Sequence, residues 1–170
     1  MWVFDATPLI YLAKVDRLGL VDDVDGRCVL PDPVHAEVVE TGIEEGYPDA
    51  RRIEAAVEAD VLDVVSVADT PLRSRIRENP KLSEADAAVL ACADARDGVA
   101  VMDETYGRDV ASTEGIATRG TAYLVLSLVA DSVISAGEAR SAIDAMVEEG
   151  WYCAPDTYAK ILSKLESMAD

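Results

Sequence analysis

The sequence predicts an α/β fold, with a mostly parallel sheet covered by helices on both faces. Three observations lead there. Short apolar runs read as strands at about 2–5, 28–30, 61–67, 99–102 and 116–118, and helical segments separate them. Helix start and stop signals fall between the runs, at Asp32-Pro33, Gly42, Ser83, Gly98 and Gly120. Hydrophobic residues make up 50% of the 170, and no Ser/Gly/Pro-rich linker or internal repeat divides them. One domain over residues 1–170, with a sizeable core, is therefore expected.

Met1-Trp2-Val3-Phe4 forms the first strand and Asp5 ends it. Thr7 or Asp5 can cap the next helix, with Pro8 at an early position and Leu9, Ile10, Leu12 and Ala13 on its apolar face. A short helix at about 17–23 precedes the second strand, Cys28-Val29-Leu30. Asp32-Pro33 then supplies an N-cap with proline at the first helical position, and Gly42 reads as the helix end. A helix over 48–59 leads to the strand at 61–67, and the polar, proline-bounded stretch 70–80 reads as a loop with a helical turn. Ser83 opens a strong helix to about Arg96, which Gly98 breaks before the strand at 99–102. A helix at 104–113, a short strand, an apolar helix at 121–131 and amphipathic helices at 136–149 and 155–168 complete the chain.

The composition narrows the chemistry. Cys28, Cys92 and Cys153 are far apart and odd in number, and His35 is the sole histidine, so a zinc site, a disulfide framework or a His-based triad is not expected. That leaves oxygen ligands. The longest strongly apolar stretch, 122–130, is too short to span a bilayer, and the N-terminus opens straight into a strand. A cytoplasmic protein without a membrane partner is the expectation. The net charge of −18 comes from 33 Asp+Glu against 15 Lys+Arg, scattered along the chain. Such an acidic surface resembles that of proteins from salt-loving organisms. At about 1 M salt the Debye length falls to roughly 3 Å, so local contacts would decide nucleic-acid binding.

The placement of a few acids carries more than their number. Asp5 and Asp103 each end an apolar run, and the carboxyl ends of parallel strands form the edge where ligands bind. A carboxylate there loses hydration and is repelled by its neighbours, unless it neutralises, pairs or binds a cation. Asp5 has a second reading as a helix cap. Asp86 has one as the third-position acid of a capping box opened by Ser83, yet it shares a face with Leu90 and Ala93. Glu37 borders the stripe Val34, Val38 and Thr41, and Glu40 lies on the adjoining turn; either can face solvent. Converging acids would make a hard-cation site suited to phosphodiester hydrolysis.

Taken together, these segments resemble the PIN-domain endoribonucleases, of which VapC-type toxins are members. Val3-Phe4-Asp5-Ala6-Thr7-Pro8-Leu9-Ile10, Leu30-Pro31-Asp32-Pro33-Val34-His35-Ala36-Glu37, Leu82-Ser83-Glu84-Ala85-Asp86-Ala87-Ala88-Val89-Leu90-Ala91 and Val101-Met102-Asp103-Glu104 carry the likeness. Gly107-Arg108-Asp109-Val110-Ala111 and Gly120-Thr121 are similar to a PIN subgroup described only as nucleic-acid-binding. The resemblance implies a three-layer α/β/α sandwich and a Mg2+- or Mn2+-dependent site. It assigns catalytic roles to Asp5, Glu37, Asp86 and Asp103, with metal ligation by Asp5, Asp86 and Asp103. Thr7 supports them, and Glu84, Glu104 and Asp109 add further acids. It also implies RNA as substrate, a homodimer, and a small antitoxin protein that places a basic segment in the acidic groove.

Cations must meet the RNA. Arg73, Arg75, Arg77 and Lys81 form the one basic cluster and are the expected phosphate clamp, with Arg108 and Arg119 nearer the metal; a solvated basic loop is the alternative. A haloacid-dehalogenase-like phosphatase also starts with strand–Asp but needs a second Asp where Thr7 stands. A receiver domain needs an acidic pair near the first strand and a central phosphoacceptor, and neither pattern is present. The remaining alternative is a PIN fold kept as an RNA- or protein-binding module with a weak or dead site.

Overall fold

The computed structural model describes residues 1–169. A five-stranded, wholly parallel sheet runs in the order β3-β2-β1-β4-β5. Its strands are β1 (Trp2–Phe4), β2 (Cys28–Pro31), β3 (Asp63–Val65), β4 (Val99–Val101) and β5 (Thr118–Arg119). Val3, Phe4, Val29, Leu30, Ala100 and Val101 are fully buried, as expected for strands covered on both faces. Val3 pairs with Val29 on one side and Ala100 on the other, and Phe4 pairs with Val101. Helices surround the sheet in an α/β/α sandwich.

The helices are α1 (Ala6–Lys14), α2 (Asp32–His35), α3 (Gly42–Glu44), α4 (Pro48–Glu58), α5 (Pro71–Arg77), α6 (Glu84–Ala95), α7 (Thr105–Thr113), α8 (Thr121–Ala130), α9 (Ala136–Glu148) and α10 (Pro155–Met168). A 3-10 turn covers Leu18–Asp23. The Ala-rich α6 lies on β1, β2 and β4, with Ala87, Ala88, Val89 and Leu90 at zero exposure, because small side chains let its backbone approach the sheet. Nearly all of the expected elements are present.

Two differ. The stretch expected as a loop with a helical turn at 70–80 holds a seven-residue helix, α5, whose N-cap Thr70 side chain accepts from the Arg73 N–H. Gly42 does not end its helix. From α2 the chain continues through a π-helical turn (Ala36–Thr41) into α3, with Gly42 in right-handed helical geometry at φ −60° and ψ −39°. A Cβ there would lie 2.6 Å from the Ala50 Cβ, so glycine at this position permits close packing of α3 on α4. Gly46, at φ +79°, takes the left-handed turn that follows.

The chain leaves β1 toward β2 on one side and returns to β4 on the other. The switch in direction therefore falls between β1 and β4, and at their carboxyl ends it opens a crevice. Asp5 and Asp103 follow these two strands, and the Asp5 N–H donates to the Val101 carbonyl at 3.1 Å. No helix among the described residues is long and apolar enough to cross a membrane.

Candidate active site

Parallel strands send their carboxyl ends toward the N-termini of the helices that follow, so each acid meets a helix start. Asp5 is the N-cap residue of α1, yet its side chain makes no capping hydrogen bond. It is 8% exposed and takes part in no ion pair among the described residues. Burial, then the charge of Asp86, pushes its pKa from 3.8 up to about 7, with Glu37 and Asp103 adding smaller upward effects and the Ala6 N–H opposing them. The capping alternative leaves this carboxylate unexplained.

The other acids differ in how freely they are held. Asp86 completes the capping box of α6: its Oδ2 accepts from the Ser83 N–H at 2.8 Å, and Ser83 Oγ accepts from the Asp86 N–H at 3.0 Å. Its Oδ1 makes no hydrogen bond within the described residues, so capping leaves one oxygen uncommitted. Glu37 sits in the π-helical turn, a wider turn of the kind often found at functional sites. Its pKa is raised by desolvation and then by Asp86. The residue as a whole is exposed, so solvent screens that shift and it bears little on stability. Glu40, on the same turn, is exposed and lies 3.8 Å from His35 Nδ1.

Asp103 is the most constrained. Its Oδ1 accepts from the Thr121 N–H at 2.8 Å; its Oδ2 accepts from the Thr121 hydroxyl at 2.7 Å and the Trp151 indole N–H at 3.0 Å. It thus caps α8 from another segment. Gly120 allows this approach, since a Cβ there would stand 3.1 Å from Asp103 Oδ1 and 3.4 Å from Arg108 Nη1. Trp151 and Thr121 were not foreseen as site residues. The available signal was a tryptophan at the junction of two amphipathic helices, since a buried indole N–H needs an acceptor.

The four principal acids therefore share one electrostatic field, with Asp5 at its centre. They do not form a closed ligand sphere: among the described residues, no three His, Cys, Asp or Glu side chains are close enough to hold a metal ion. Asp86 is tied at one oxygen and Asp103 at both. The donor set itself is all oxygen and carries no compensating cation, which fits Mg2+ or Mn2+ in chemistry.

Of the supporting residues, Thr7 is half-buried on α1 and shares a cleft with Asp103 and Glu104. Glu104 is the N-cap residue of α7, exposed, with no capping bond from its side chain. Asp109 is exposed on α7. Glu84 is not free to join them. Its carboxylate is bound by Arg77 at 2.7 Å and by Arg73 at 2.9 Å, and its pKa is lowered by Arg77 first.

In this structure the three arginines of the expected clamp are engaged by carboxylates. Arg73 is 7% exposed; its guanidinium donates to the Val67 carbonyl and to Glu84, and its Nε is buried without a partner. Arg75 grips Glu114 through two hydrogen bonds, at 2.8 and 3.2 Å, and Arg77 bridges Glu84 and Asp69. These side chains fasten α5 to α6 and to the end of α7 rather than standing free for phosphate. Arg73→Ala should therefore destabilise the fold by about 1–3 kcal/mol, less than a fully buried pair because Glu84 can rehydrate. Urea unfolding measures this, and an unchanged midpoint would contradict it. Arg108 and Lys81 have no ion-pair partner among the described residues, and Arg119 lies over the Tyr123 ring at 4.8 Å.

Residues 1–167 match the model of the DUF3368 family, described as a PIN domain. No curated protein and no solved structure matches the chain.

Proposed function

We propose, from the premise that this chain belongs to the PIN-domain family, that it is a divalent-metal-dependent endoribonuclease. The observation that carries the reading is Asp5: buried, without an ionic partner among the described residues or a capping bond, and raised in pKa by burial and by the charges of Asp86, Glu37 and Asp103, with only the Ala6 N–H opposing them. A fold keeps such a carboxylate at a cost to stability, which a bound cation removes. Asp5 and Asp103 would hold Mg2+ or Mn2+ from the two sides of the β1/β4 crevice, with Asp86 as a further ligand and Glu37 flanking. The cation supplies Lewis acidity toward the scissile phosphate. Thr7 would orient a phosphate oxygen or water, and Arg108 would neutralise phosphate charge beside Asp103. Water replaces the 3′-oxygen at phosphorus, leaving a 5′-phosphate and a 3′-hydroxyl.

The strongly acidic surface suits an enzyme that works in the cytoplasm at high salt, where its own charge is screened. A toxin held by a small antitoxin with a basic segment, and a homodimer, complete the proposal. One observation favours a second reading, a PIN fold acting as an RNA- or protein-binding module: Asp103 already satisfies three donors, and the acids stand apart. Incubation of mixed RNA with Mn2+, at low and high KCl, separates the two. Wild type should cleave and Asp5→Asn should not; inactivity of wild type across metals and salts would favour the module.

A further inference from the structure

We propose that Tyr152, with Trp151 and Tyr106, builds a stacking subsite for an unpaired nucleobase beside Asp103. The inference rests on the nuclease reading above and adds to it a contact with one base of the substrate. A cleft of about 560 Å³ adjoins the carboxylate crevice, lined by Thr7, Asp103, Glu104, Tyr106, Trp151 and Tyr152. Two successive aromatic residues there have opposite fates. Trp151 is 6% exposed and fixed by its bond to Asp103, whereas Tyr152 is 84% exposed and its hydroxyl makes no hydrogen bond among the described residues. The turn that carries them is pinned, since Gly150 takes φ +103° and its carbonyl accepts from the Tyr11 hydroxyl at 3.3 Å. The Tyr106 ring is held by Asn79 Nδ2, 2.8 Å from its hydroxyl, and covered by Lys81 Nζ at 4.9 Å from the ring centroid.

This arrangement suits a base better than an aliphatic side chain. A base offers a flat π-face to Tyr152 and exocyclic N–H donors to the Glu104 carboxylate, which caps no helix amide. Lys81, free of any acidic partner among the described residues, brings a cation to the same rim for the attached phosphate. The bases of a duplex are stacked on one another, so only a single strand can present a free face. Continuity with Asp103 places the phosphodiester next to that base at the crevice.

The test is binding of a short fluorescein-labelled oligoadenylate in EDTA, read by anisotropy, alongside Mn2+-dependent cleavage of the same oligonucleotide. Tyr152→Ala should weaken binding about 5- to 150-fold, while Tyr152→Phe should stay within about twofold of wild type. Tyr47→Ala, at another exposed tyrosine (54%), should change nothing. Wild-type affinity in Tyr152→Ala overturns the subsite, and leaves the nuclease reading standing wherever wild type still cleaves. No binding by wild type overturns it as well. Tyr152-dependent binding without cleavage under any divalent cation upholds the subsite and removes the nuclease reading.

Discussion

Asp5→Asn should abolish RNA cleavage and, in the same preparation, raise the melting temperature of the metal-free protein. Both effects follow from one buried carboxylate with no cationic partner among the described residues. On the proposed nuclease reading its loss removes a cation ligand worth several kcal/mol in the transition state, so cleavage should fall by at least about 10³-fold. The stability effect has a definite sign. The folded-state pKa of Asp5 is raised from 3.8 to about 7, so the folded protein binds this proton more tightly than the unfolded chain. The associated stability is fully present below pH 3.8 and is lost as the pH rises through about 7. At about 1.4 kcal/mol per unit, the loss reaches roughly 4 kcal/mol, an upper value because water can enter the crevice. Asparagine cannot ionise and escapes the loss. Wild type and variant should thus melt close together near pH 4 and diverge at pH 8, by about 8–16 °C if the whole effect is realised. Parallel profiles across that range would show that Asp5 is already compensated in the fold.

The same chemical change at Asp103 should act in the opposite direction. Both of its oxygens serve as acceptors, for the Thr121 N–H and hydroxyl and for the Trp151 indole N–H. Asparagine offers one carbonyl and one NH2, so at least one donor is left facing another donor. The cost is about 1–3 kcal/mol, and cleavage is lost with it. Urea unfolding followed by tryptophan fluorescence measures the destabilisation. A stabilised Asp103→Asn protein would mean that this carboxylate, like Asp5, is held against its preference. The pair of variants therefore separates an acid retained for function from one that also builds the fold.

Much of the architecture was legible because local signals and global fold agree. Apolar runs ended by Asp5 and Asp103, and a capping box at Ser83, marked the strands, the α6 start and the edge where they meet. The alternative roles of the acids were not separable in sequence. Asp86 proves to cap α6 while its charge still raises the pKa of Asp5, and Asp5 stands at a cap position without capping. The ion pairs of the arginine cluster were not legible for a physical reason. A count of cations does not show which carboxylates fold back onto them, and Glu114 lies 39 residues from Arg75. Gly42 misled similarly: glycine next to a helix signals an end, but a close approach to Ala50 demands it too. Trp151 was invisible because its role depends on a contact 48 residues away, made only when the last two helices return to the crevice.

The central claim is that the acids around Asp5 jointly hold a divalent cation, and melting at pH 8 with increasing MnCl2 tests it most directly. Wild type should start lower than Asp5→Asn and climb with Mn2+ as mass action requires, while the variant should stay nearly flat. Equal shifts in both proteins, or none in either, would contradict it.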